Sequence, residues 1–313
     1  MSSAALEGAP RPLRLRVSDA LYRRRGLLVL LLLVPPLLWV GAVYVGSLLA
    51  LLANSFFRLD DFSGQVVREI GLGNFATLLE GANVDVVRRT VAMALSVTVA
   101  CIALALPLAW MMARYASGTA KALFYLAVML PLWSSYLVRL YAWKLLLAKE
   151  GAISWVLAKL HLTWLLEALL ALPVIGGHSL SFSPLGTFVV FVYLWLPFMI
   201  LPVQAALERV PASLVEASAD LGAHPAATFW RVVFPLAVPG IAAGSIFTFS
   251  LTLGDYIVPG VIGDSSMFIG QVVSLQQGTA GNVPLAAALS MVPIAVIALF
   301  LWAAKRMGAF DAL

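Results

Sequence analysis

Few side chains in this sequence have the types and spacing that chemistry requires, and those few suit movement better than bond-making. The only histidines, His161, His178 and His224, all stand in loops, and no cluster of His with Asp, or of Ser with a base, accompanies them. The single cysteine, Cys101, lies in an apolar run, which excludes an intrachain disulfide and offers no Cys-based metal set. No Gly-rich run ends in Lys and Ser or Thr, so a Walker A phosphate cradle is missing. The sequence therefore assigns no catalytic residue, no metal ligand and no cofactor to this chain. Three groups remain. Arg139 and Lys144 interrupt an apolar run with Trp133, Tyr136, Tyr141 and Trp143 nearby. Asp255 and Tyr256 follow another apolar run, close to Gly254, Pro259 and Gly260. Glu216 and Asp220 fall four residues apart between Pro211 and Gly222.

The elements that carry these groups follow from composition. Of 313 residues, 62% are hydrophobic and 11% charged, with a mean hydropathy of +0.98. A soluble domain carries about a quarter charged residues, so this is an integral membrane protein. A pI near 9.5 does not imply nucleic acid here, because the basic residues flank apolar spans and act as orientation determinants.

Six spans are expected, each clearing the roughly 20 residues that cross a bilayer, and each a helix because backbone groups in lipid must pair internally. Residues 1–25 form a polar segment with Arg11, Arg14, Arg16, Arg23, Arg24 and Arg25. The first span, 26–53, is too long for a signal-peptide core and has no convincing cleavage site, so it is retained. A mixed-charge loop occupies 54–84 and runs on to Arg89. Further spans cover 90–113, 122–147, 185–207, about 236–259 and 283–304, and residues 307–313 form a short tail. Residues 148–184 are ambiguous, either a seventh span or an amphipathic segment at the interface. The basic residues arbitrate: with six spans 12 lie inside and 6 outside, whereas a seventh reverses the balance to 8 and 10. Both termini then face the cytoplasm. Trp110, Trp195 and Trp230 read as interfacial anchors. Gly240 and Gly244 make a small-residue face for close helix packing.

The loop from 208 to 235 is too regular for a mere connector. Pro211 starts a helix, Gly222 ends it, and residues 226–233 form a second short helix before Pro235 interrupts the chain. Two helices around a glycine turn make a compact knob suited to docking into a groove. Within it Glu216, Ala217, Asp220, Leu221 and Gly222, followed by Val232 and Pro235, resemble the coupling-loop motif of permease subunits of binding-protein-dependent ABC importers. That motif reads Glu-Ala-Ala, three residues, Gly, nine residues, Ile-x-Leu-Pro. Ser218, Val232 and Phe234 depart from it while roughly keeping size or apolar character.

The stretches 130–147, 251–263, 268–273 and 282–290 resemble the polyamine (spermidine/putrescine) permease group, particularly its PotB-like subunit. The resemblance implies an all-α, polytopic, type I ABC importer permease (MetI-like) fold in a bacterial inner membrane. One extra N-terminal helix would precede a transmembrane core at 85–306. It also implies partners: a second, PotC-like permease, a cytoplasmic ATPase dimer that holds ATP and Mg, and an extracytoplasmic solute-binding protein. Glu216 and Gly222 would sit in the coupling helices. Tyr136, Arg139, Asp255 and Tyr256 are candidates for a translocation path or gate. A lone Arg in the path suits a cationic substrate poorly, which favours gating or inter-subunit pairing for Arg139. The competing reading is an ion-coupled secondary transporter that works without an ATPase. It leaves the knob without a task.

Overall fold

The computed structural model describes Tyr22, residues 25–60 and residues 62–306. The arginines at 11, 14, 16, 23 and 24, Asp61 and the tail from Met307 onward lie outside the described residues. The chain divides into two compact units, 1–54 and 55–313.

From Arg25 onward the first unit is one apolar helix in three stretches: α1 (Arg25–Trp39), a π-helical turn (Val40–Val45) and α2 (Gly46–Ser55), whose last residue begins the second unit. Its candidate span, Leu28–Ser55, has 28 residues, more than the roughly 20 that cross a bilayer.

The second unit opens with a two-residue hairpin, β1 (Arg58–Leu59) and β2 (Val66–Val67), paired antiparallel. Helices α3 (Gly73–Leu78) and α4 (Gly81–Arg114) follow. Next come α5 (Gly118–Trp133), α6 (Tyr136–Leu146), α7 (Ala152–Lys159), α8 (Thr163–Leu170) and α9 (Pro184–Glu208). The chain continues through α10 (Ala212–Asp220), α11 (Pro225–Thr228), a π-helical turn (Phe229–Val233) and α12 (Phe234–Gly254). It closes with α13 (Ile257–Val261), α14 (Ile269–Gln277) and α15 (Val283–Arg306).

The core is formed mainly by α4, α9 and α12. Ala94, Val97, Cys101, Ala105 and Ala109 recur every three or four residues along α4 and are fully buried, a small-residue stripe that lets α9 approach. Leu95, Val99 and Leu104 on the opposite side are exposed, which is the inside-out pattern of a lipid-facing helix. Phe249 and Phe300 stack at 4.4 Å and bring α15 against α12. Gly240 and Gly244 do their packing inside this chain. A Cβ at Gly240 would stand 2.5 Å from Ala206 Cβ and from the Pro202 carbonyl, and one at Gly244 would meet Met199.

Among the described residues five helices are long and apolar enough to cross a membrane, and a bent pair makes six. The span expected at 122–147 is the bent pair. Helix α5 ends at Trp133, and Ser134 and Ser135 take extended backbone. Helix α6 then departs at 96°. Arg139 and Lys144 thus lie beyond a corner. Before α9 begins at Pro184, the stretch from 148 holds only the helices α7 and α8, of eight residues each and about 12 Å long, too short to cross. The span expected at 236–259 instead runs from Pro225 to Gly254 without interruption. Pro235 does not break it, because the π-helical turn just before it widens the backbone, with the Phe234 N–H reaching the Phe229 carbonyl.

Candidate functional site

The knob forms as a foot between α9 and α12. Pro211, in extended backbone, caps α10. The helix ends in a closed double bond pattern. The Gly222 N–H donates to the Ala219 carbonyl at 2.8 Å, and the Ala223 N–H to that of Ser218 at 3.1 Å. This closure places its turning residue in the left-handed region, and Gly222 sits there with φ +77°. A Cβ at Gly222 would meet nothing within 4 Å, so the demand for glycine comes from the backbone and not from crowding.

The second half of the foot is started by His224, whose carbonyl accepts from the N–H groups of Ala227 and Thr228 at 2.8 and 3.0 Å. The two halves are pinned by a 2.9 Å hydroxyl–hydroxyl bond between Ser218 and Thr228. Ser218, a departure from the motif, therefore fastens the foot. Phe229 packs edge-on against Trp110 at 5.6 Å, and Trp230 lies 4.9 Å from Phe234. Arg114 stands over the Trp110 ring at 5.4 Å and donates to the Val210 carbonyl at 3.3 Å. The end of α4 thus braces both roots of the foot. The sequence offered no cue to this clamp beyond an aromatic-rich stretch at Phe229–Phe234.

The outer face is open. Leu221 is 89% exposed, and Leu214 and Trp230 are also exposed. Ala217, Glu216 and Asp220 face out as well, and neither acid makes a hydrogen bond or ion pair among the described residues. Val232 is half-buried and Pro235 exposed.

The other candidates meet at the corner where α6 begins. Tyr136 donates its hydroxyl to Asp255 Oδ2. Asp255 Oδ1 accepts from the N–H groups of Ile257 and Val258 at 2.8 and 2.9 Å, closing the open start of α13. Asp255 thus ends one helix, starts the next and ties both to α6. Trp195 is not an interfacial anchor. It is buried and stacks on Tyr136 at 6.2 Å. Arg139 Nε and Nη1 and Trp195 Nε1 are buried with no acceptor among the described residues, so the junction holds spare donors in an apolar setting. Tyr256 is about half exposed and makes no hydrogen bond among the described residues. Nothing in this geometry activates a nucleophile. The arrangement can hold and release, and it can present charge.

Residues 25–307 match the family model described as "Binding-protein-dependent transport system inner membrane component". The chain is 57% identical over 313 residues, the whole of both proteins, to the inner membrane ABC transporter permease protein YdcU of Escherichia coli K12. It is 31% identical over 287 residues to the spermidine/putrescine transport system permease protein PotB of the same strain, covering 90% of this chain and 95% of that one. The fold matches a bacterial alginate ABC transporter, solved with its alginate-bound periplasmic protein, at a TM-score of 0.69 and 16% identity over 95% of this chain and 98% of that one. It also matches the MetNI methionine ABC transporter at 0.55 and 16% identity, over 75% and 98%.

Proposed function

This chain belongs to the binding-protein-dependent transport system inner membrane components, and from that premise we propose that it receives its driving force through the foot at residues 208–235. It is a membrane permease subunit of an ABC-type importer, all-α and MetI-like in fold, working with a periplasmic binding protein, and it is not an enzyme. In this reading the foot faces the cytoplasm, as do both termini, and seats in a cleft of a separate ATPase. Closure of the ATPase pair on nucleotide draws the foot inward and tips the permease pair, which then accepts solute from the binding protein. Glu216, Ala217, Asp220 and Leu221 form the seated surface, with Gly222, Val232 and Pro235 shaping it.

The carrying observation is the closed turn at Gly222, flanked by exposed apolar side chains and unpaired acids. Such a surface is stiff without being packed against its own protein, as a docking element must be. The test is Gly222→Val in the reconstituted importer. Binding-protein-stimulated ATP hydrolysis and uptake both collapse while the chain stays in the membrane. Full-rate uptake with no hydrolysing partner present would sink the reading.

The solute is proposed to be a polyamine, imported with a second, PotC-like permease. Support comes from the 31% identity to a spermidine/putrescine permease and from Asp255, whose carboxylate suits a cation path. Tyr136, Arg139 and Tyr256 gate that path, with Arg139 pairing between subunits rather than touching the cation. Uptake assays with labelled putrescine and spermidine, using the cognate binding protein, check the assignment. Uptake of neither would refute it.

A further inference from the structure

Helix α5 is held unlike its neighbours. None of its sixteen residues is buried, and along it Tyr125 and Val128 are the apolar residues packed against the main core. It is fastened instead by polar contacts at its two ends. At the near end Lys121 Nζ lies 2.7 Å from Glu208 Oε1. Tyr125 donates to the same oxygen at 3.1 Å, and Gln204 Nε2 donates to it at 3.3 Å. Lys121 and Tyr125 are four apart on α5, as Gln204 and Glu208 are on α9, so the four side chains cross-brace the two helices. Glu208 is the last residue of α9, three before Pro211, at the root of the foot and outside the seated surface formed by Glu216, Ala217, Asp220 and Leu221. At its far end α5 turns into α6, whose first residue, Tyr136, reaches Asp255.

We infer that Glu208 is a positioning residue that makes α5 follow the foot. The foot's displacement enters α5 through Glu208 and arrives at the Tyr136–Asp255 junction at the other end. Three donors on one carboxylate oxygen, at a pair only about a third exposed (35% and 31%), form a charge-assisted joint with less competition from water than an open surface pair has. A helix that buries little of its own surface moves with whatever holds its ends. Lys121 therefore does more than mark the inner side of the membrane. Gln204 adds a second sign of a built joint: it is fully buried, and its Oε1 has no donor among the described residues.

The inference rests on the coupling-foot reading, and the experiment separates the two. The full importer, with permease pair, ATPase and binding protein, is reconstituted in proteoliposomes, and ATP hydrolysis and solute uptake are measured together. Glu208→Gln keeps side-chain length and removes the charge. Binding-protein-stimulated hydrolysis stays within about twofold while uptake falls on the order of tenfold, the scale of a lost hydrogen bond to a charged group. Lys121→Met shows the same split, and the exchange Lys121→Glu with Glu208→Lys recovers at least half of the uptake, the new ammonium finding Gln204 Oε1. The uptake-to-hydrolysis ratio is the readout that a merely structural role does not move. An unchanged ratio in both single variants overturns the inference, whether the two rates hold steady or fall together. Gly222→Val serves as the parallel control. If it loses hydrolysis stimulation while Glu208→Gln leaves the ratio unchanged, this inference alone fails. If Gly222→Val also works normally, the coupling-foot reading fails with it.

Discussion

In the foot the tight turns are closed by backbone, two N–H groups on two carbonyls at Gly222 and two more on His224, with one hydroxyl pair between the halves and the outer side chains left to face outward. At the junction the chain is open backbone across Ser134–Ser135 and again at Asp255, and side chains do the closing, one phenol on one carboxylate, with spare donors on Arg139 and Trp195 beside them. Backbone closures of this kind have one geometry and resist deformation. A side-chain bond among unsatisfied donors has alternatives at hand. The first region suits an element that must transmit a push, the second one that must change partners.

The contrast breaks most sharply at Gly222. Valine there, β-branched and forced to positive φ, costs about 1–2 kcal/mol in the turn, and the foot relaxes to another shape. Stimulated hydrolysis and uptake fall together by at least about tenfold, the factor that roughly 1.4 kcal/mol represents. Gly222→Asn sharpens the point. Asparagine tolerates the left-handed region, and since space is open around the site, most activity returns. If asparagine failed as badly as valine, the constraint would lie in the docked surface and not in the backbone.

Asp255→Asn separates charge from capping. The amide oxygen still accepts from Ile257 and Val258, so α13 keeps its start and the protein its amount in the membrane. Uptake falls about tenfold, with hydrolysis persisting. Tyr136→Phe removes the tie and leaves the charge, and its loss of uptake is smaller. Equal losses in both would mean that the latch, and not the carboxylate, is what transport needs.

Gly240→Ala tests the ground the foot stands on. The added methyl meets Ala206 and the Pro202 carbonyl at 2.5 Å, so α9 and α12 must separate at an overpacking cost of about 1–3 kcal/mol. Thermal unfolding of the purified chain shifts down, whereas Gly254→Ala, with no atom within 4 Å of its new Cβ, leaves the transition nearly unmoved.

What the sequence disclosed and what it withheld divide along the same line. The spans were legible because lipid demands long apolar runs, and the foot because glycine and proline punctuate a charged stretch between two of them. Gly222 as the turn that ends the first short helix was foreseen from its neighbours alone, and its positive φ belongs to that turn. The 96° corner was not, since the run from Leu130 to Leu147 is apolar on both sides of Ser134–Ser135 and carries no glycine at the break. Nor were the pairs Tyr136–Asp255 and Lys121–Glu208, separated by 119 and 87 residues along the chain (255 − 136 and 208 − 121). Lys121 read only as a topology charge, and Trp195 as an interfacial anchor, because local pattern says nothing about which helix a side chain will meet.

The smallest expected effect falls on Ser218, where the coupling motif has alanine. Ser218→Ala restores the motif and removes the bond to Thr228, leaving the nearly buried Thr228 hydroxyl to find another partner. A neutral hydrogen bond of this kind contributes about 0.5–1.5 kcal/mol, and the helix gains a few tenths from alanine's better propensity. The net effect is a loss of under about 1 kcal/mol, read as a small drop in the unfolding transition with coupled transport intact. Thr228→Val, which leaves Ser218 half-exposed and able to reach water, costs less still. If either change uncoupled transport as Gly222→Val does, the foot's stiffness would reside in its side chains after all, and the distinction between the two regions would dissolve.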